Sequence, residues 1–172
     1  AYLMAAIRLM WFKVYHPAIF YAVYFTVRGA DIDYEAAIGG VRVAKEHLRD
    51  NERIPKEERT AKDDDALVSL QLENEMLQRG VQFLPIELGK SRASKYVVED
   101  GKVRLPFTAL RGLGEAAAVA LEKATIDGQE YISVEELQQA SGVASSVFDK
   151  LRSVGALGSL PETSQVDLFS LL

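Results

Sequence analysis

The sequence has no cysteine and only two histidines, and neither a low-complexity segment nor a repeat of fixed long period runs through it. The missing cysteines exclude a disulfide framework, a cysteine zinc site and a thiol nucleophile, and their absence fits a cytoplasmic protein. His16 and His47 stand too far apart in the chain to suggest a histidine metal site. A long hydrophobic run is also missing. Arg8, Lys13 and His16 interrupt the apolar N-terminal stretch and Pro17 breaks it. No uncharged run there reaches the roughly 18–20 residues of a spanning helix, and the stretch does not read as a signal peptide. An overall excess of positive charge is lacking too, since the net charge is −5. That excludes a uniformly basic coat for nucleic acid.

A clustered set of catalytic groups is likewise absent. The carboxylates are scattered, apart from the run Asp63-Asp64-Asp65. Consecutive side chains diverge at a helix start, so this run reads as a cap that complements the helix dipole rather than as a two-metal site. No lysine stands in a nucleophile's motif context. A self-contained nuclease or ligase therefore has little support, and no catalytic residue, metal site or cofactor is expected in this chain.

What is present is an ordinary globular composition, 48% apolar and 26% charged over 172 residues, enough for one medium domain or two small ones. The chain opens at Ala1 inside an apolar helical pattern without an initiator Met, which reads as part of a longer protein. Leu3, Ile7, Met10 and Val14 recur at helical spacing and predict a helix over 1–15 with one buried face. Pro17 suits the first turn of a second helix over 18–27. Asp33 is an N-cap candidate for a third helix over 35–49, weakened by Gly39-Gly40. A charged, proline-punctuated linker is expected next, then a fourth helix over 63–79 with Gly80 after its end.

Near residues 80–83 the period changes from helical to alternating, and a domain boundary is expected there. Residues 81–88 predict a short strand broken by Pro85. Strands over 96–98 and 102–105 flank "EDGK", whose Asp-Gly suits a tight hairpin turn. Helices over 115–124, 133–140 and 145–154 follow, and a tail from Gly158. The fold class expected is mainly α with a small β-hairpin.

Two motifs carry function. Leu110, Gly112, Leu113, Gly114, Ala118 and Leu121 match the helix-hairpin-helix pattern, in which an apolar residue precedes Gly-apolar-Gly and a small residue follows. The glycines adopt unusual backbone angles and let another backbone approach, Leu113 pins the turn, and Ala118 keeps the helices close. The amides that start the next helix are then free to attract a phosphate oxygen without reading a base. The candidate DNA contacts are Arg111, Gly112, Leu113, Gly114 and Glu115. A basic strip just before them (Lys90, Arg92, Lys95, Lys102 and Arg104, against Glu99 and Asp100) adds to the set. A degenerate second unit repeats the framework at Leu137, Gly142, Val143, Val147 and Leu151, with Gly142 and Ser145 as candidate contacts and Ser145 or Ser146 as a helix cap. This second unit either touches nucleic acid or only packs against the first. Arg8 and Lys13 are candidates for nucleotide phosphate contacts, with solvated charge on amphipathic helices as the plainer reading. The second motif is the terminal run Gln165, Val166, Asp167, Leu168, Phe169. It either folds back on its own domain or orders on a partner, with Leu168 and Phe169 as anchors.

The runs "AYLMAAIRLMWFKVYHPAIFYAVYFTVRGADID", "LENEMLQRGVQFLPIELGKSRASKYVVEDGKVRLPFTALRGLG" and "SVGALGSLPETSQVDLF" resemble, in order, the later fingers, the following stretch and the C-terminus of the PolC-type DNA polymerase III alpha subunit. The resemblance implies that residues 1–80 are the end of the polymerase fingers. It implies that residues 81–160 are a tandem helix-hairpin-helix domain on duplex DNA, and that residues 161–172 are a tail in which Gln165 to Phe169 bind the sliding clamp (the beta subunit). Val166 departs from the usual clamp pattern, as do Ser170, Leu171 and Leu172, which implies weaker but intact clamp binding. The catalytic aspartates and their magnesium belong to an upstream palm in this family, so the chain is expected to be inactive alone, with the upstream polymerase domains as partners. The alternative is a stand-alone helical protein-interaction module without DNA binding.

Overall fold

In the computed structural model, residues 1–28, 32–126 and 128–163 are described. The element order is α1 (Tyr2–Tyr15), α2 (Pro17–Arg28), α3 (Tyr34–Glu52), α4 (Ala61–Gln78), β1 (Phe83–Leu84), β2 (Val97–Glu99), β3 (Lys102–Arg104), α5 (Glu115–Thr125), α6 (Val134–Ser141) and α7 (Ser145–Ser153). The fold is mainly α with one small sheet, as the sequence predicts.

Local chemistry sets most of the boundaries. Pro17 opens α2, where its missing N–H costs no helical hydrogen bond. The Asp33 carboxylate accepts from the Ala36 N–H at 3.0 Å and caps α3. Gly40, with φ 75 and ψ −168, is non-helical and divides α3 into two helical pieces across a kink, so the Gly-Gly pair does interrupt the helix as the sequence suggests. The charged segment expected to be a linker instead extends α3 to Glu52, because Arg49, Asp50 and Glu52 carry no helix breaker and the Asn51 amide donates to the His47 carbonyl at 2.9 Å. Only Pro55 stops it. Thr60 and Asp63 form a reciprocal capping box at the head of α4, so Asp63 does act as a cap.

The sheet has the order β1-β3-β2. Strands β2 and β3 form the expected antiparallel hairpin, with Val98 opposite Val103. Its turn residues Asp100 and Gly101 both have positive φ, 49 and 75, which is the backbone a two-residue hairpin turn requires. Strand β1 pairs with β3 in parallel, Phe83 opposite Val103. That pairing is non-local, and Pro85 confines it to two residues.

A continuous apolar core runs from α2 to Leu157. It crosses the expected boundary at residues 80–83. The Phe25 ring lies 5.7 Å from Phe83 and 5.5 Å from Tyr96. The Tyr96 N–H donates to the Thr26 hydroxyl at 3.0 Å. In contrast, α1 buries no residue. Leu3, Ile7, Met10 and Val14, expected to form its buried face, are all exposed, because among the described residues α1 packs mainly along α2.

Residues 158–162 do not trail away. The Val134 N–H donates to the Pro161 carbonyl at 2.8 Å and the Glu135 N–H to the Glu162 carbonyl at 3.1 Å. These two carbonyls satisfy amides that the start of α6 leaves open, beside the Ser133 side-chain cap on Glu136. The Arg152 guanidinium pairs with the Glu162 carboxylate across the same junction.

Candidate nucleic-acid interface

The Gly-Leu-Gly turn is built from below. Phe107, Ala109 and Leu110 are buried beneath it, and the chain makes a 3-10 turn over Phe107–Ala109. The Leu113 N–H closes onto the Leu110 carbonyl at 3.0 Å. Leu113 is 5% exposed, and Ala118 and Leu121 are fully buried. Gly112 has φ 78, a backbone that a side chain makes costly. The apolar framework therefore points inward as the motif requires.

The other surface of the turn is open. Arg111, Gly112, Gly114, Glu115 and Ala116 are all exposed. Gly114 is the N-cap of α5, and no side chain caps that helix. The first bond across the cap runs from the Ala118 N–H to the Gly114 carbonyl. The amides of Glu115, Ala116 and Ala117 thus remain open donors at the positive end of an 11-residue helix.

The second unit repeats the arrangement. Gly142 ends α6 in the left-handed region, with φ 67, while Val143, Val147 and Leu151 are buried. Ser145 and Ser146 are exposed in the first turn of α7. Neither caps it, because the N-cap is Ala144 and no side chain fills that role. The units also meet directly, since Lys150 of α7 donates to the Gly112 carbonyl at 3.0 Å. Nothing in the sequence pattern marked Lys150, because the contact joins residues far apart in the chain.

The basic strip divides in two. Arg104 is buried, and its fork is held by the Glu99 carboxylate, the Pro85 carbonyl at 2.8 Å and Glu87 at 3.0 Å. It is a structural residue of the sheet, with no face left for a phosphate. The same guanidinium holds the Glu99 carboxyl below the usual carboxylate range. Lys90 pairs with Glu87 at 2.7 Å and Arg92 with Glu122 at 3.3 Å, both still partly exposed. Lys95, Lys102 and Arg111 are exposed and have no ion-pair partner among the described residues.

The N-terminal candidates separate in the same way. Arg8 is exposed. Lys13 is engaged with Glu75 at 2.6 Å and lies over the Phe20 and Tyr21 rings. It therefore braces α1, α2 and α4 and is not a free phosphate contact. A cleft of about 680 Å³ with mixed polar and apolar walls lies between α3, α4 and the first hairpin, with Asp33, His47, Leu70 and Arg111 among its lining residues. The His47 ring meets the Asp33 carboxylate at 2.7 Å, which raises the imidazole above its ordinary value. No cluster of three or more metal-ligating side chains occurs among the described residues, and none of their helices is long and apolar enough to cross a membrane. The candidate tail residues Gln165, Val166, Asp167, Leu168 and Phe169 lie outside the described residues.

Comparison with known proteins agrees with this geometry. Residues 80–166 match the helix-hairpin-helix motif family. The chain is 35% identical over 170 residues to the PolC-type DNA polymerase III of Streptococcus agalactiae serotype III (strain NEM316). It is 36% identical over 170 residues to that of Streptococcus thermophilus (strain CNRZ 1066), and 36% identical over 169 residues to that of Thermotoga maritima. Each match covers 98% of this chain but only 12% of the relative's length.

Proposed function

The chain belongs to the helix-hairpin-helix family and corresponds in sequence to part of a PolC-type DNA polymerase III, and from that premise we propose that it grips duplex DNA by its backbone and tethers a replicative polymerase to its sliding clamp. The observation that carries the first half is the row of uncapped amides at Glu115 to Ala117, starting at the exposed Glu115 and Ala116, behind a turn whose Leu113 is buried. A phosphate oxygen accepts hydrogen bonds from such a row with no reference to base identity. Arg111, Lys95 and Lys102, exposed and unpaired among the described residues, supply the long-range attraction that an acidic protein otherwise lacks. Gly142 and Ser145 open the second unit in the same manner. In this reading residues 1–80 are the end of the fingers, with Arg8 as its nucleotide-facing candidate, and residues 81–160 hold the product duplex. The reaction itself belongs to the palm of the longer relatives, with its magnesium, and this chain contributes position rather than chemistry.

The second half rests on Gln165, Val166, Asp167, Leu168 and Phe169, whose paired Leu and Phe are apolar anchors for a pocket on the clamp. Duplex grip and clamp grip act on the same DNA, so each raises the effective concentration of the other.

Titration with equal-length duplexes of unrelated sequence tests the first half. Affinity is expected to be the same for all of them and to fall steeply with salt. A strong preference for one sequence, or no binding at all, contradicts it. The double substitution Leu168→Ala with Phe169→Ala is expected to abolish binding to the isolated clamp while short-duplex affinity stays unchanged. Clamp binding that survives the pair rejects the tail assignment.

A further inference from the structure

Carbonyl groups are a liability at a phosphate-binding turn, because their lone pairs repel the anion that the neighbouring amides attract. Gly112 presents such a carbonyl on the open side of the first hairpin. The group that covers it comes from the other unit. The Lys150 ammonium donates to the Gly112 oxygen at 3.0 Å, from a helix 38 residues further along the chain. A Cβ built on Gly112 would lie only 2.5 Å from the Lys150 Nζ, so the glycine leaves room for the ammonium as well as for the positive φ.

An ammonium has three donors. One is taken by the Gly112 carbonyl, and that is its only partner among the described residues. The acidic residue nearest to it in α7, Asp149, faces Arg152 instead. Two donors on the half-buried Lys150 therefore have no partner among the described residues, at a turn whose Arg111 and Gly112 are exposed.

We propose that Lys150 is a phosphate-contacting residue of the first hairpin, supplied by the second unit. The two hairpin units then form one composite grip, in which α7 covers the Gly112 carbonyl and adds a cation beside the open amides of α5. The inference rests on the duplex-binding reading above. It goes further by assigning the second unit a direct part at the first unit's turn.

The test compares Lys150→Gln, Lys150→Met and Lys150→Arg in the full 172-residue chain, with short duplex DNA titrated over a range of salt. The glutamine keeps a donor for the Gly112 carbonyl but removes the charge, the methionine removes both, and the arginine keeps both. Loss of one phosphate contact is expected to make the slope of log K against log salt shallower by about 0.9, and binding roughly eightfold weaker near 0.1 M salt. Both neutral variants are expected to show this, and Lys150→Arg to restore the slope. A Lys150→Gln variant with the wild-type slope overturns the phosphate contact. So does a neutral variant that binds more weakly with an unchanged slope, since that is the mark of a residue that only props up the turn. An unfolding midpoint taken on each variant shows which of them keep the fold, and Lys150→Gln decides the case if Lys150→Met does not. A wild-type chain that ignores duplex DNA altogether rejects the underlying reading and this inference with it.

Discussion

Helices α1 and α7 stand at opposite ends of the chain and invert the usual link between composition and burial. Helix α1 has 14 residues, most of them apolar, and buries none. Helix α7 has nine residues, only three of them large and apolar, and buries all three: Val147, Phe148 and Leu151. What differs is the supply of neighbours. Helix α7 closes over α6, the hairpin turns and the segment that returns along residues 154–162. Helix α1 packs along α2, and near its end Lys13 pairs with Glu75 of α4. Hydrophobic free energy is realised only where a second surface removes water, so the sequence of α1 states a capacity and the sequence of α7 states an outcome.

The contrast yields unequal mutational costs. Phe148→Ala is expected to destabilise the chain by about 3–5 kcal/mol, the range for truncating a buried aromatic. Trp11→Ala, on the larger but 54% exposed side chain, is expected to change stability by no more than about 0.5 kcal/mol. Chemical denaturation of the two variants measures both. Equal losses would show that α1 is covered in solution and would break the comparison.

A charged residue sharpens the same point. Arg104 is buried between Glu99, Glu87 and the Pro85 carbonyl, whereas Lys102, two residues earlier on the strand, is exposed and unpaired among the described residues. Arg104→Ala leaves partners without their cation and is expected to cost about 3 kcal/mol or more. Arg104→Lys is expected to recover little of that, since an ammonium cannot reproduce a planar fork. Lys102→Ala is expected to leave the unfolding midpoint unmoved and to lower duplex affinity instead. An Arg104→Ala variant of wild-type stability would return that residue to the surface set.

A third effect lies where α4 meets the start of α3. Glu73 is fully buried, and burial pushes its carboxyl up to about 9. One oxygen accepts from the Asp33 N–H at 3.0 Å, and the other finds no partner among the described residues. A carboxyl raised from 4.5 to about 9 on folding is protonated in the folded chain and ionised in the unfolded one across that interval. Its contribution to stability therefore falls as pH rises through that window. Glu73→Gln is expected to flatten this slope and to stabilise the chain by on the order of 1–3 kcal/mol at neutral pH. Unfolding of both proteins between pH 5 and about 9 checks it, and parallel profiles would show that Glu73 is ionised inside the fold.

Several features were legible in the sequence because they are local. The Asp33 cap, the Asp100-Gly101 turn and the Gly-Leu-Gly framework each follow from a few neighbouring residues, and the structure keeps all three. What escaped depends on distant partners. The parallel pairing of β1 with β3 joins Phe83 to Val103. The burial of Arg104 needs the Pro85 carbonyl and Glu87, and a strip counted along the chain cannot show which of its cations faces inward. Helix α3 passed through a segment rich in charge, because charge without glycine or proline does not break a helix. Lys150 was invisible for the same reason as the pairing of β1 with β3, since its partner is set by the packing of one unit on the other.

The central claim is that the amides at the head of α5 meet a phosphate backbone. Amide resonances recorded while a short duplex is titrated into the 172-residue chain test it most directly. The largest shifts are expected at Gly114, Glu115, Ala116 and Ala117, with smaller ones at Ser145 and Ser146 and none in α1. Binding that leaves the four α5 amides unmoved and shifts residues elsewhere would contradict the claim.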